Sequence, residues 1–214
     1  MPRTIIFGDI HGCWEEWSEL LKKVNATPED RLISVGDLVF KGPSTKKVLD
    51  MAVAMPNLKC VTGNHEVHLL NFWKEKRFDR YEKPYQKTAV EELGKNLEKY
   101  IRYIETWPFY LDLPECLIIH AGLRPGVPIE EQTREDLTRL RTVEPSGKPW
   151  YELYTGKKIV VHGHWAAQGL VVRENVIGLD TGCVYGKELS CVIFPGREIV
   201  SVKAKKAYSP ISGD

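Results

Sequence analysis

The stretch Thr4-Ile5-Ile6-Phe7-Gly8-Asp9-Ile10-His11-Gly12 opens the regular structure of this chain, and its reading decides the fold. Four β-prone residues run up to Gly8, and Asp9 and His11 then follow between two glycines. Side chains two apart on an extended strand end converge on one point only if the strand breaks into a loop, which Gly8 and Gly12 permit. Beyond the loop, Trp14, Trp17, Leu20, Leu21 and Val24 recur at helical spacing. The order is therefore strand, loop, helix.

The same unit recurs twice. Leu32 to Val35 ends at Gly36-Asp37, and Pro43 then opens a helix near its tolerated first position, with Val48, Leu49, Ala52 and Val53 as the apolar face. Leu58 to Thr62 ends at Gly63-Asn64-His65, again before a helical pattern. Three β-loop-α units predict an α/β sheet whose working residues lie at the C-terminal ends of its strands. After Pro108 strands dominate: 109–113, 117–119, 158–161, 170–172, 176–179, 189–194 and 199–202. Strands following strands predict a second sheet packed on the first.

Residues 1–214 read as one domain carrying a helical insertion over 72–107. In that insertion Trp73, Phe78, Tyr81, Tyr85, Tyr100 and Tyr103 lie among charges, and Gln86 to Thr106 reads as one long helix. It is expected to cap one face of the site, with its aromatics used for packing. Residues 124–149 read as a surface loop with one helical piece, and the polar tail from Lys203 to Asp214 as disordered.

Composition narrows the function classes. With 30 basic and 29 acidic residues the net charge is only +1, so no global field steers a polyanion and any attraction to phosphate is local. The five cysteines, odd in number and without a C-x-x-C pair, read as buried free thiols in a reducing compartment. No leader and no apolar run of about 20 residues is present, so a cytoplasmic protein without a membrane partner is expected. Nucleic-acid binding as the main role lacks a basic stripe. Nothing sets the oligomeric state.

The chemistry sits in six glycine-bounded segments: Gly8–Gly12, Gly36-Asp37, Gly63-Asn64-His65-Glu66, His120-Ala121-Gly122, Gly163-His164 and Asp180-Thr181-Gly182. Asp9, His11, Asp37, Asn64, His120 and His164 offer mixed carboxylate, amide and imidazole donors. That set suits Mn, Fe, Co, Ni or Zn better than Ca or Mg. Two such ions roughly 3.5 to 4 Å apart would bring the pKa of water toward neutrality and clamp a phosphoryl oxygen. His162, one strand position from Gly163, reads as a strand or supporting residue, and His68 as a packing or solvent residue.

With these motifs in order, the chain resembles the calcineurin-type metallophosphoesterases, in the branch of phosphoprotein phosphatases and symmetrical diadenosine tetraphosphatases. The resemblance runs from Gly8 to Cys183. It implies a two-sheet β-sandwich flanked by helices, a first metal on Asp9, His11 and Asp37, and a second on Asp37, Asn64, His120 and His164. Manganese is the expected ion. It also makes His65 the general acid, while Lys41 stands where protein phosphatases carry a phosphate-gripping arginine. Lys41 keeps the charge without the bidentate fork. Phe40 stands where the Asp supporting that acid is found.

Lys41-Gly42-Pro43-Ser44 and Leu137-Thr138-Arg139-Leu140-Arg141 resemble elements of the tetraphosphatase-like branch, so Arg139 or Arg141 is expected to face substrate phosphates. The implied activity is hydrolysis of nucleoside polyphosphates, with diadenosine tetraphosphate split into two ADP. Glu66 pulls toward the alternative, a serine/threonine phosphoprotein phosphatase acting on a phosphoprotein. Inorganic polyphosphate and capped RNA ends are further substrates of the same chemistry.

Overall fold

The computed structural model describes residues 2–76 and 81–210. β1 (Thr4–Phe7) leads to α1 (Trp14–Lys23), β2 (Arg31–Ser34) to α2 (Thr45–Ala54), and β3 (Leu58–Cys60) to α3 (Asn64–Glu75). The helices α4 (Pro84–Leu93) and α5 (Leu97–Ile104) precede β4 (Tyr110–Asp112) and β5 (Leu117–Ile119). Next come α6 (Arg134–Arg139), the strands β6 (Thr142–Val143) and β7 (Lys148–Pro149), and α7 (Trp150–Leu153). The chain closes with β8 (Val160–His162), β9 (Val171–Val172), β10 (Val176–Gly178), β11 (Glu188–Phe194) and β12 (Glu198–Lys203).

Two five-stranded sheets result, ordered β12-β11-β1-β2-β3 and β4-β5-β8-β10-β9, while β6 and β7 pair apart. The strands β1, β2 and β3 run parallel to one another, as do β5, β8 and β10. Such strands are short and largely apolar where both faces are covered, with Arg31 and Lys59 as exposed exceptions. Successive side chains alternate between the faces. Ile6, Ile33, Val35 and Val61 of the first sheet share a core with Ile118, Val161, Ile177 and Leu179 of the second. Their neighbours Ile5, Phe7, Leu32 and Leu58 turn to the helical layer, and Leu117, Ile119, Val160 and Val176 turn to Leu137, Trp150 and Tyr151. The architecture is a two-sheet sandwich flanked by helices, as the α/β reading expects.

Some expectations are corrected. β11 and β12 do not join the second sheet. β11 pairs antiparallel with β1, and its Val192 enters the inter-sheet core while Leu189, Cys191 and Ile193 enter the helical one. The long helix over 86–106 is broken at Gly94, whose φ of +49° ends α4 before a short 3-10 turn. Pro43 precedes α2, which starts at Thr45, because Phe40 and Lys41 hold left-handed φ values of 69° and 63° and delay the helix.

The aromatics of 72–107 pack into the core of the first sheet's helical side, Trp73, Tyr81, Tyr85, Tyr100 and Tyr103 among them. Phe78 lies outside the described residues. The loop over 124–149 contains the β6–β7 hairpin besides α6. The tail is not disordered as far as residue 210. Ala207 bridges to Tyr185, and the Tyr208 hydroxyl donates to Glu16 at 2.6 Å. All five cysteines are free and buried. No helix among the described residues is long and apolar enough to cross a membrane.

Asp30, 5% exposed, ties the first strand to the turn before the second. It accepts two bonds from the Arg3 guanidinium, at 3.0 and 2.7 Å, and one from the Thr27 amide at 2.8 Å. The arginine above all draws its pKa down to about 2. A depressed carboxylate stabilises the fold above its unfolded pKa of about 4 and loses that contribution as pH falls toward the folded value. Asp30→Asn is therefore expected to lower stability by about 1 to 2 kcal/mol at neutral pH, the partly exposed arginine keeping the effect modest. In urea unfolding, the gap between parent and variant should close as pH falls from about 4 to about 2.

Candidate metal centre

Six strands deliver the six segments. β1, β2, β3, β5, β8 and β10 end just before Asp9, Asp37, Asn64, His120, His164 and Asp180 respectively, so the parallel strands of both sheets open onto one rim. Asp37 lies in the middle. Its Oδ2 is 3.6 Å from His11 Nε2 and 3.9 Å from His65 Nε2, and its Oδ1 is 3.5 Å from His120 Nε2. Both oxygens of Asp9 accept the His164 amide at 3.1 Å. Asn64 Oδ1 lies 2.9 Å from His120 Nε2 and 3.0 Å from His164 Nδ1.

The donors divide into two groups that share Asp37. One is His11, Asp37 and His65, and the other is Asp9, Asp37 and His120, with the donor atoms of each within 4.8 Å of one another. Asp9 falls in the group with His120, and the His65 ring stands edge-on to that of His11 at 4.8 Å.

The donor set fits divalent cations on a specific ground. His120 Nδ1 faces the Val35 carbonyl at 2.8 Å, so that nitrogen carries the proton. Burial lowers the pKa of the ring to about 4, leaving it neutral at pH 7. Its Nε2 then presents a lone pair to the lone pairs of Asn64 Oδ1 and Asp37 Oδ1. His11 repeats the arrangement, with Nδ1 3.1 Å from the Val39 carbonyl and Nε2 turned to Asp37. Such outer hydrogen bonds orient metal-binding imidazoles. Burial raises Asp9 well above the usual carboxylate range, with Asp180 and Asp37 adding to it, while burial lowers His11, His65 and His164. A cation among them reverses both tendencies.

The loops that hold these groups are strained. Of the eight non-glycine residues with positive φ among those described, five are His11, Asp37, Phe40, Lys41 and His164. Such strain persists only where the surroundings over-determine it. For Asp37 the Glu66 carboxylate supplies the restraint, while the amides of Phe40 and His164 are taken by Thr45 and Asp9. Glu66 is fully buried and accepts the amides of Asp37 (2.8 Å), Leu38 (2.9 Å), Val39 (3.2 Å) and Gly63 (2.9 Å). Burial and then the Asp37 charge raise its pKa to about 7, against the bonds that favour the anion. Space matters too, because a methyl group on Gly163 would sit 1.9 Å from Asp9 Oδ1, and one on Gly63 would sit 2.1 Å from Asp37 Oδ1.

Of the expected catalytic groups, His65, Lys41 and Arg141 stand at this cluster, while the contacts of Arg139 are with Glu135 and His68. His65 is buried, with the Phe40 ring edge-on at 5.8 Å, and its Nδ1 has no hydrogen-bond partner among the described residues. Lys41 is 9% exposed, and its ammonium donates to the Tyr185 hydroxyl at 2.9 Å. Arg141 lies close enough to His164 to lower its pKa. Arg139 pairs with Glu135 and touches His68, which stands 6.0 Å from the His65 ring. His162 stays out of the cluster, packed on Trp150 and Tyr151.

Two residues escaped the sequence reading. Tyr185 was invisible because it lies 144 positions from Lys41. The anchoring role of Glu66 had a faint signal, since a Glu two residues after Asn64 falls at the third position of α3, where side chains reach back to free amides.

With this geometry in place, the sequence pattern of the calcineurin-like phosphoesterases matches residues 2–194. The chain belongs to that family and is a hydrolase. A symmetrical bis(5'-nucleosyl)-tetraphosphatase of Vibrio parahaemolyticus serotype O3:K6 is 28% identical to it over 94% of this chain and 98% of its own. The asymmetrical bis(5'-nucleosyl)-tetraphosphatase PrpE of Bacillus subtilis strain 168 is 32% identical over 95% of each. A crystal structure provisionally described as a diadenosine tetraphosphatase superposes with a TM-score of 0.83 at 32% identity, covering 95% of this chain and 96% of that one.

Glu66→Gln removes one acceptor oxygen and sets an amide donor against the loop amides. The loss is expected to be about 2 to 4 kcal/mol, because buried donors are left unpaired. Chemical unfolding of the metal-free protein measures it, and a change under about 0.5 kcal/mol, the size of an ordinary surface substitution, would show that the loop holds itself.

Proposed function

We propose that this hydrolase cleaves phosphoanhydride bonds of nucleoside polyphosphates and splits diadenosine tetraphosphate symmetrically, with one water, into two ADP. Asp9, His11 and Asp37 would hold one divalent ion and Asp37, Asn64, His120 and His164 a second, manganese in this reading, with Fe, Co, Ni or Zn sharing the donor preference. Bound there, the ions supply positive charge that acidifies water and polarises the phosphoryl oxygen. The chain acts as one domain. The helices between 72 and 107 wall the side of the entrance where the Tyr85 ring stands about 6 Å from Phe40 and His65. Five buried free thiols support a cytoplasmic location.

Lys41, steadied by Tyr185, and Arg141, beside His164, neutralise the non-bridging oxygens of the polyphosphate. Arg139, engaged by Glu135 and His68, is the positioning member of the pair. The observation that carries the substrate reading is the environment of His65. Phe40 packs edge-on against the ring, and the Nδ1 has no hydrogen-bond partner among the described residues. An imidazole that is buried, neutral and unsupported is a poor source of protons. Departing ADP needs none, whereas a serine alkoxide does.

A second reading, asymmetrical cleavage to ATP and AMP, is favoured by the 32% identity to the Bacillus enzyme. Product analysis separates the two. The manganese-loaded protein is incubated in parallel with diadenosine tetraphosphate, a phosphoseryl peptide, inorganic polyphosphate and capped RNA. ADP as the sole nucleotide product, with kcat/KM about 100-fold or more above that for the peptide, is expected from the missing acid support. Equal ATP and AMP would establish the second reading, and faster release of phosphate from the peptide would overturn both.

The role of His65 is tested by leaving group. His65→Ala should slow diadenosine tetraphosphate cleavage by less than about tenfold and slow an alkyl phosphate monoester by about 100-fold or more. Equal losses on both substrates would remove protonation from the account.

A further inference from the structure

A second cluster of donors lies behind the first, where nothing in the proposed chemistry uses it. Cys13 Sγ, a Glu16 carboxylate oxygen and Cys183 Sγ lie within 4.8 Å of one another. Cys13 and Glu16 are 0% exposed and Cys183 is 1% exposed. Glu16 Oε1 accepts the Tyr208 hydroxyl at 2.6 Å and the Lys205 amide at 3.0 Å, yet Oε2, equally buried, has no hydrogen-bond partner among the described residues. A buried carboxylate oxygen without a partner is costly, and such groups are normally paired or bound to a cation.

We propose that Cys13, Glu16 and Cys183 form a separate structural site for a thiophilic divalent cation of the zinc class. Zinc–sulfur bonds of about 2.3 Å and zinc–oxygen bonds of about 2.0 to 2.2 Å put tetrahedral donors roughly 3.5 to 3.8 Å apart, within the spread of this triad. Two thiolates select zinc over the harder ions suited to the carboxylate and imidazole cluster. The cation takes the place of the two thiol protons, which pass to solvent.

The position gives the site a purpose. Cys13 follows His11 by two residues, Cys183 follows Asp180 by three, and Glu16 lies on α1 and holds the tail through Tyr208. One ion would therefore pin the β1–α1 loop, the loop after β10 and the C-terminal segment to each other. Apolar packing alone accounts for two cysteines in this core, but it leaves Glu16 Oε2 unexplained.

Cobalt(II) is a direct probe, because only thiolate ligands give an intense near-ultraviolet cobalt charge-transfer band and the Asp37 cluster contains none. Titrating the metal-free full-length chain under reducing conditions should give that band and three bound equivalents per chain. Asp37→Asn should keep the band, Cys13→Ser and Cys183→Ser should each cut its intensity by half or more, and Glu16→Gln should weaken the cobalt responsible for it about tenfold or more, as loss of a metal-holding group does. Saturation at two equivalents without a thiolate band in the parent chain would overturn the proposal, even if the serine variants fail to fold. So would recovery of the freshly purified chain with a Cys13–Cys183 disulfide.

Discussion

Four backbone amides on one buried carboxylate organise this molecule. The loop between β2 and α2 leaves the sheet at Gly36, inside the protein, where its amides have no strand to pair with. Glu66 reaches back from the first turn of α3 to take those of Asp37, Leu38 and Val39, together with that of Gly63. Each such donor left unpaired would cost about 1 to 3 kcal/mol. The bonds also join two loops from neighbouring strands into one body, so Asp37 and Asn64 keep their spacing. The left-handed backbone at Asp37 is held in the same way.

That body carries a conflict of charge. Around Asp37 the protein buries carboxylates whose pKa values rise and imidazoles whose values fall, and it turns two ring nitrogens toward oxygen lone pairs. A fold selected for stability alone has no use for such an arrangement. Cations would convert each repulsion into coordination, and five strained residues around the cluster agree with a site shaped for binding. Lys41 and Arg141 stand beside this cluster, and in the proposed reading they give a nearly neutral protein its local hold on phosphate.

The parts legible in the sequence were those written locally. A glycine after a short apolar run marks where a strand breaks into a working loop, and β1, β2 and β3 end one to three residues before such glycines. Gly163, whose position leaves room for Asp9, was legible for the same reason. Non-local pairing was not. Nothing within β11 says that its partner is β1 rather than β10, because an apolar strand covered on both faces suits either sheet. The docking of Tyr208 on Glu16 and the hold of Tyr185 on Lys41 span 192 and 144 positions and leave no periodic trace. Gly94 was read as part of a helix, since one glycine is tolerated there, and only its positive φ reveals the break.

The central claim is that Asp37 is the shared ligand of two ions. Anomalous diffraction from crystals grown with manganese(II) addresses it without reference to substrate. Two peaks roughly 3.5 to 4 Å apart, both contacting the Asp37 carboxylate, are expected. A single peak, or ions that do not touch Asp37, would contradict it.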